Sequence, residues 1–361
     1  MTVRSRDRNV GVTIISGFLG AGKTTLLRRL VCDDRFGPRL AVLVNDVGEL
    51  GLDPELVRSA GTSPTLRVTE LVSGCVCCTL QGEFVSAMRA LIRGDGLPRK
   101  PEHILIEPSG IARASELSFA VNALGSEEPV ETDTVITLVD AHNAARAYRE
   151  QPELFADQVR SADLILINKA DLMPSAQDRQ QLLDWLRPLA PRANVLWTSQ
   201  AEIDPTLLFG QLDLLNEALP QAAAQPTRPS HMAPHQHTSH APPHAEDPHR
   251  HAAPQEGMTA LTLPVPFVVD RDRLEDFLDA QADRIFRIKG IVHAAWDGGL
   301  IDPAQPQPVP TLVQAVGDRV DIDRLPTDSP LCAAPRRLIF IGSPGALDRD
   351  RLTQELRETA A

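Results

Sequence analysis

A short glycine-rich stretch constrains the fold of this 361-residue chain more than any other feature. Residues 17–24 read G-F-L-G-A-G-K-T, which is the full G-x-x-x-x-G-K-T spacing of a phosphate-binding loop. An apolar β-branched run at 12–15 precedes the loop, and a helical pattern at 25–30 follows it. The glycines let successive backbone N–H groups face an anion, and the helix adds the positive end of its dipole. The sequence therefore predicts a strand–loop–helix unit that binds a nucleotide.

Two side chains of the loop have defined chemical roles in such a site. The Lys23 ammonium can reach the β- and γ-phosphates, and the Thr24 hydroxyl can ligate Mg²⁺. We therefore expect both residues to take part in catalysis as well as in binding.

A second motif predicts which base is bound. The apolar run at 164–167 ends in Asn168-Lys169-Ala170-Asp171, an N-K-x-D loop at the end of a predicted strand. A carboxylate at Asp171 can accept hydrogen bonds from the ring N1–H and the exocyclic amine of guanine, a pair that adenine does not offer. The motif favours GTP over ATP. Thr198 and Ser199, after a short apolar run, predict a further loop beside the base.

A third segment predicts a response to the γ-phosphate. Residues 103–110 read as a strand that ends in Glu107-Pro108-Ser109-Gly110. We expect Glu107 near the Mg²⁺ ion and the Gly110 N–H at the γ-phosphate, so that the segment changes when GTP is hydrolysed. An ordinary Pro-Ser-Gly turn is the alternative. Because Ile111 follows Gly110 and no glutamine stands there to orient water, we expect slow intrinsic hydrolysis.

These motifs define one predicted nucleotide site. Its catalytic residues are Lys23, Thr24 and Glu107. Its nucleotide contacts are Gly17, Gly20, Ala21, Gly22, Lys23, Thr24, Thr25, Gly110, Asn168, Lys169 and Asp171.

Three of the five cysteines form the tight cluster Cys75-Val76-Cys77-Cys78. Thiolates suit Zn²⁺ and similar ions, and three of them leave a fourth tetrahedral position open. The cluster lies between the phosphate loop and the Glu107 segment, which favours metal binding over simple packing. The isolated Cys32 and Cys332 are expected to be packing residues.

Taken together, these motifs resemble those of the CobW-like GTPases, relatives of the UreG and HypB nickel-insertion GTPases. The resemblance rests on residues 16–25, 44–49, 74–78, 107–110 and 168–171. It implies a GTP-driven metallochaperone that binds Zn²⁺, or alternatively Co²⁺, at the C-x-C-C loop, with Glu49 as a nearby carboxylate ligand. It also implies a client metalloprotein as partner and leaves a homo-oligomer open. The stretch 287–290 resembles the R-x-K-G of the family's C-terminal domain, where it implies client or oligomer contacts.

Strand and helix patterns alternate along the first part of the chain. Strand-like runs fall at 12–16, 40–45, 103–107, 134–139, 164–168 and 195–197. The alternation predicts an α/β P-loop NTPase fold, a doubly wound and mostly parallel sheet, at residues 1–220. Further strands at 258–269, 285–293, 311–316 and 336–341, with helices at 271–280 and 346–358, predict a small α+β C-terminal domain at 258–361.

Residues 221–257 are rich in Pro, Ala, Gln and His and predict a disordered linker. Seven of the ten histidines lie between His231 and His251, a density that favours weak metal capture over a plain spacer.

The formal net charge of −12 gives a nucleic-acid partner no electrostatic support. Neither a secretory apolar region at the start nor a membrane-length apolar run is present, so we expect a cytoplasmic protein with no membrane partner.

Three functions are compatible with these patterns. The leading hypothesis is a metallochaperone in which GTP hydrolysis gates metal transfer from the cysteine loop. A regulatory GTPase with structural cysteines is the second, and a zinc buffer dominated by the histidine segment is the third.

Overall fold

The computed structural model describes the residues in seven ranges: 9–33, 40–44, 68–70, 80–95, 100–208, 258–296 and 308–361 without 318, 328 and 344. Several predicted features lie outside these ranges, namely Glu49, Cys75, Cys77, Cys78, the segment 221–257 and the predicted domain boundaries at 220 and 257.

The first sheet within these ranges has seven strands, and all its neighbouring strands are parallel. The strands are β1 (Val10–Gly17), β2 (Leu40–Val44), β3 (Val68–Glu70), β4 (His103–Glu107), β5 (Val130–Asp140), β6 (Leu164–Asn168) and β7 (Asn194–Trp197). Their spatial order is β3-β2-β4-β1-β5-β6-β7, so β1 and its phosphate loop lie in the middle. The predicted α/β class with a parallel sheet is confirmed.

Helices cover both faces of this sheet, as the alternating side chains of its strands require. They are α1 (Lys23–Val31), α2 (Leu80–Arg93), α3 (Ala114–Leu124), α4 (Ala144–Glu150), α5 (Pro152–Arg160) and α6 (Ala176–Leu186). Ile14 of β1 packs with residues of α2 and α3. The next residue, Ile15, belongs to the core on the opposite face, with α1.

The second sheet has six strands in the described ranges and is antiparallel except where β9 pairs with β10. Its strands are β8 (Thr259–Pro264), β9 (Val268–Asp270), β10 (Ile285–Ala295), β11 (Val309–Val316), β12 (Arg319–Arg324) and β13 (Arg337–Gly342). Helices α7 (Arg271–Gln281) and α8 (Arg349–Arg357) pack on one face. The predicted α+β arrangement is confirmed.

The structure differs from the predicted strands at three places. The expected strand at 258–269 is two strands: β8 ends at Pro264, Pro266 follows, and β9 then pairs with a different neighbour, because proline has no N–H to continue a ladder. Strand β12 reads R-V-D-I-D-R and was not predicted, because its charged residues interrupt the apolar pattern of a strand. It lies at the edge of the sheet, where charged residues are common. Strand β3 has only three residues, too few for a visible alternation.

The other face of the second sheet packs against the first sheet. A single buried apolar cluster joins Leu105 and Leu138 of the parallel sheet to Phe286 and Ile339 of the antiparallel one. The two sheets thus share part of their core.

Charged side chains of β10 cross this interface. Arg287 is fully buried, donates to the Leu208 carbonyl at 2.9 Å, and pairs with Asp133 of β5. Lys289 is 1% exposed and donates to the Thr206 carbonyl at 3.3 Å. In this structure both side chains face the protein's own interior, and the expectation that this stretch takes part in client or oligomer contacts stays a prediction.

The isolated cysteines differ from each other. Cys32 is exposed at the end of α1, so its prediction as a packing residue is wrong. Cys332 is half-buried, with Sγ 3.2 Å from the Pro326 carbonyl oxygen. In the parts of the chain that the structure describes, every helix is too short or too polar to cross a bilayer.

Candidate nucleotide-binding site

The carboxyl ends of β1, β2 and β4 meet at one edge of the parallel sheet, where α/β proteins bind their ligands. A cleft of about 470 Å³ opens at this edge. Its walls are the phosphate loop, Val44 at the end of β2, and residues 107–110 after β4. The sheet topology therefore unites two motifs that lie more than 80 residues apart.

The phosphate loop requires glycine at its two ends for steric as well as conformational reasons. Gly17 has φ 138°, and a Cβ there would lie 2.4 Å from the Leu138 carbonyl oxygen. Gly22 has φ 108°, and a Cβ there would lie 2.3 Å from Nδ2 of Asn168. Any larger residue would push the loop away from the neighbouring strands β5 and β6.

Helix α1 begins directly after Gly22, and no side chain caps its first turn. The backbone N–H groups of that turn and the dipole of the helix are therefore directed to the cleft, where an anion is stabilised. Lys23 is the first helical residue; it lines the cleft although it is only 8% exposed. Its ammonium donates to the Phe18 carbonyl at 3.4 Å, across the loop.

The pairing of β1 with β4 brings together Thr24 and Glu107, which were predicted from separate motifs. The Thr24 hydroxyl donates to Oε1 of Glu107 at 2.6 Å. Glu107 ends β4 and is buried, whereas Thr24 is half-buried in the first turn of α1. A hydroxyl and a carboxylate oxygen next to a phosphate-binding loop are hard oxygen donors, which is the chemistry that Mg²⁺ selects. The donor set fits the ion.

Gly110 lines the same cleft and lies against the phosphate loop. A Cβ at this position would lie 2.7 Å from Cδ2 of Leu19, so only glycine allows the two loops to approach this closely. The next side chain, Ile111, is 62% exposed.

Asn168 connects the predicted base loop to the phosphate loop. Its Nδ2 donates to the Ala21 carbonyl at 2.9 Å, and its Oδ1 accepts from the Ala201 N–H at 2.9 Å. The buried amide thus holds three loops in one arrangement, and each of its two ends has the partner its chemistry requires. Ala21 and Asn168 were predicted as nucleotide contacts; in this structure the Ala21 carbonyl and the Asn168 amide make their hydrogen bonds to protein groups.

The loop after β7 lies beside the N-K-x-D loop, as the sequence predicted. The Asp171 N–H donates to Oγ of Ser199 at 3.2 Å, and the Ala170 N–H donates to the Thr198 carbonyl at 3.0 Å. The Asp171 side chain is exposed at this edge, which leaves its carboxylate accessible to a base.

Lys169 has a partner that the sequence reading missed. It adopts a left-handed conformation with φ 62°, and its ammonium lies 2.6 Å from Oδ2 of Asp140 at the end of β5. The sequence signal that could have identified this partner is an acidic residue at the end of an apolar strand, which is the position of Asp140.

The carboxylate of Asp140 also accepts hydrogen bonds from the backbone and the side chain of Asn143. Burial alone would raise the pKa of Asp140. The hydrogen bonds from Asn143 and the Lys169 ammonium outweigh burial, and the pKa lies below its ordinary value. Asp140 therefore stays ionised and can hold Lys169 in its unusual conformation.

Four of the predicted metal ligands lie outside the described residues, namely Glu49, Cys75, Cys77 and Cys78. Within the described ranges, no group of three or more His, Cys, Asp or Glu side chains is arranged to hold a metal ion.

Comparison with known proteins gives two family matches. Residues 11–197 match the model of the CobW/HypB/UreG nucleotide-binding domain, and residues 258–360 match that of the cobalamin synthesis protein CobW C-terminal domain.

Three curated relatives are similar to the chain. The zinc chaperone CobW of Pseudomonas aeruginosa is 37% identical over 227 residues, which cover 55% of this chain and 59% of the relative. The zinc-regulated GTPase metalloprotein activator 1 of Schizosaccharomyces pombe is 34% identical, with coverage of 58% and 48%. The match thus spans about half of each of these two relatives. The zinc chaperone YjiA of Escherichia coli is 28% identical over 344 residues, with coverage of 92% and 94%.

A solved structure, the Zn(II)-bound YjiA GTPase from E. coli, aligns with 98% of this chain and 100% of its own at 23% identity and a TM-score of 0.43. The nucleotide-binding model alone matches more than half of the 361 residues, and its match contains the loops that line the cleft. The chain therefore belongs to the CobW/HypB/UreG family.

Proposed function

We propose that this protein is a metallochaperone that binds and slowly hydrolyses GTP, carries Zn²⁺ or a similar divalent ion at Cys75, Cys77 and Cys78, and transfers it to a client metalloprotein in the cytoplasm. Family membership supports a nucleotide-dependent role, and the names of the three curated relatives support zinc as the cargo.

The observation that carries the nucleotide part is the 2.6 Å contact between the Thr24 hydroxyl and the Glu107 carboxylate at the mouth of the phosphate loop. These residues are 83 positions apart in the chain, and each was predicted to lie near a Mg²⁺ ion. Thr24 and Glu107 would hold that ion, which when bound neutralises charge on the β- and γ-phosphates.

The remaining groups of the cleft would bind and orient GTP. The first turn of α1 and the Lys23 ammonium would bind the phosphates, while Asp171, placed by the Ser199 loop, would select guanine. Because Ile111 carries no group that can orient water, we expect slow hydrolysis until a partner or a bound metal completes the site.

The metal part of the proposal predicts energetic coupling between the two ligands. The cysteine loop precedes the Glu107–Gly110 segment in sequence, so one conformational change would move both metal ligands and γ-phosphate contacts. If GTP changes the affinity for Zn²⁺, Zn²⁺ must change the affinity for GTP by the same factor. A coupling of about 1–3 kcal/mol, or roughly 5- to 150-fold, is ordinary for such switches.

The decisive experiment is a Zn²⁺ titration of the full chain without nucleotide, with GDP and with a non-hydrolysable GTP analogue. We expect one tight site whose affinity differs between the GDP and analogue states. The triple variant Cys75→Ser, Cys77→Ser and Cys78→Ser should lose this site and retain its affinity for GDP.

Two other outcomes would favour the competing functions. Equal Zn²⁺ affinity in all three states, together with normal GTP hydrolysis, would favour a regulatory GTPase. If deletion of residues 231–251 removes most of the bound zinc while the cysteine variant removes little, the protein is a zinc buffer.

A further inference from the structure

A buried glutamine outside the cleft contacts the loop that is expected to respond to the γ-phosphate. Gln158 belongs to α5, and its side chain is 1% exposed. Its Nε2 donates to the Gly110 carbonyl at 3.1 Å and to the Ala112 carbonyl at 3.1 Å. Only the nitrogen end of the amide can donate to a carbonyl, so these two partners fix the orientation of the side chain.

The two carbonyls belong to the segment between β4 and α3. Gly110 lines the cleft with the phosphate loop, and α3 begins at Ala114. Ile111, between the two bonded carbonyls, is exposed, whereas Gly110 and Ala112 are buried. One buried amide therefore fastens the segment on both sides of a solvent-exposed residue.

The backbone of Gln158 makes a separate buried hydrogen bond to the first sheet. The Thr137 hydroxyl of β5 donates to the Gln158 backbone carbonyl at 2.7 Å. Asp157, the residue before Gln158 in α5, accepts a hydrogen bond of 2.5 Å from the Ser115 hydroxyl at the start of α3, but this contact is exposed. Helix α5 thus reaches the segment 110–112 through the buried amide of Gln158.

We propose that Gln158 is a positioning residue, which holds residues 110–112 in the conformation that accepts the γ-phosphate of GTP. The proposal rests on the proposed function, because it requires a guanine nucleotide in the cleft. Gln158 acts through the Gly110 backbone and does not touch the nucleotide. A residue that only supported helix packing would affect GTP and GDP alike, whereas a residue that positions this segment should affect the triphosphate selectively.

The test compares three variants of the full chain with the wild type. Gln158→Met keeps the length and volume of the side chain and removes both donors. Gln158→Asn keeps the amide but shortens the side chain by one methylene, so the amide cannot reach both carbonyls. This variant replaces Gln158→Met in the test if the methionine variant does not fold. Thr137→Val is the matched control, because it removes a buried hydrogen bond to the same residue without touching the segment 110–112.

The measurement is the affinity for a non-hydrolysable GTP analogue and for GDP, both in the presence of Mg²⁺. We expect each Gln158 variant to bind the analogue about tenfold more weakly and GDP within about twofold of the wild type. Thr137→Val should bind both nucleotides as the wild type does.

Two results would overturn the inference separately from the proposed function. If the wild type binds both nucleotides and the Gln158 variants change neither affinity, or change both equally, Gln158 has only a structural role and the proposed function stands. If the wild type binds no guanine nucleotide, the proposed function fails, and this inference fails with it.

Discussion

In the part of the chain that the structure describes, charged side chains are buried both in the nucleotide cleft and in the interface between the two sheets. The groups that contact these charges differ between the two regions. In the interface, the Arg287 guanidinium reaches the Leu208 carbonyl at 2.9 Å, the Thr134 hydroxyl at 3.2 Å and the Asp133 carboxylate. In the cleft, the Lys23 ammonium reaches the Phe18 carbonyl at 3.4 Å, next to a cavity of about 470 Å³. The Arg287 guanidinium is paired with a carboxylate across the interface, whereas the Lys23 ammonium lines a cavity that can hold a ligand.

The surroundings of a buried charge therefore indicate whether it stabilises the fold or binds a ligand. A buried guanidinium with a carboxylate partner contributes to stability only while both partners are present. An ammonium that lines a cleft attracts an anionic ligand, so its main effect is expected on binding. The three predictions below test this distinction.

The largest expected effect is on the interface. Arg287→Met should lower the free energy of unfolding by about 3–5 kcal/mol, because it leaves the Asp133 carboxylate buried without its partner. Urea unfolding measures the change. The double variant Arg287→Met with Asp133→Asn should recover part of the loss. If the single variant stays within about 1 kcal/mol of the wild type, the pair is not buried as described.

The next effect is on the cleft and should spare the fold. Lys23→Ala should weaken the binding of a GTP analogue by about 2–5 kcal/mol, because the phosphates lose a desolvated cation. The fold should survive, and the free energy of unfolding should fall by less than it does in Arg287→Met, because Lys23 lines a cleft and is not part of the interface between the sheets. Arg28→Ala, an exposed cation of the same helix outside the cleft, is the control and should alter neither quantity. Wild-type affinity in Lys23→Ala would show that the loop does not bind phosphate.

The smallest effect depends on pH and concerns Glu131, which precedes the interface residue Asp133 in β5. Burial raises the pKa of Glu131 to about 7, and the nearby carboxylates of Asp321, Asp323 and Asp133 act in the same direction. A hydrogen bond from Asn9 lowers this pKa but does not outweigh burial. Between about pH 4.5 and 7 the folded chain keeps a proton that the unfolded chain releases. The contribution of this group to stability is therefore complete below about pH 4.5 and is lost as the pH rises through 7.

Glu131→Gln should remove this dependence and stabilise the protein above pH 7, by roughly 3 kcal/mol at most. Burial also lowers the pKa of His103 to about 4, which gives a slope of opposite sign below about pH 6.5. The quantity to measure is therefore the difference in unfolding free energy between wild type and variant, since both keep His103. A difference that is constant from pH 5 to pH 8 would contradict the assignment to Glu131.

Much of the nucleotide cleft could be predicted from local sequence. The phosphate loop, the Glu107 segment and the N-K-x-D loop each follow an apolar run, and parallel strands deliver their carboxyl ends to one edge. The spacing of glycines in residues 17–24 is itself a backbone requirement, which the positive φ angles of Gly17 and Gly22 reflect. The contact between Thr24 and Glu107 follows from these local features and the order of the strands.

Other contacts could not be predicted, because they join residues that no local pattern relates. Asp140 ends β5 and Lys169 directly follows β6, so the two residues meet only because β5 and β6 are neighbours. Gln158 is one polar residue in an amphipathic helix, and nothing in its sequence surroundings distinguishes a buried donor from an exposed side chain. The R-x-K-G stretch was visible as a motif, but its partners are residues of the first sheet and of the segment that follows β7.

The parallel nucleotide-binding sheet and the chemical groups of its cleft can be read from the chain alone, because strand periodicity, glycine requirements and motif spacing are local properties. The tertiary structure decided where Arg287, Lys289 and Gln158 act, since each of them meets its partners only after distant strands and helices have packed. A buried polar side chain must find a partner to offset its lost hydration, and the identity of that partner is a property of the fold.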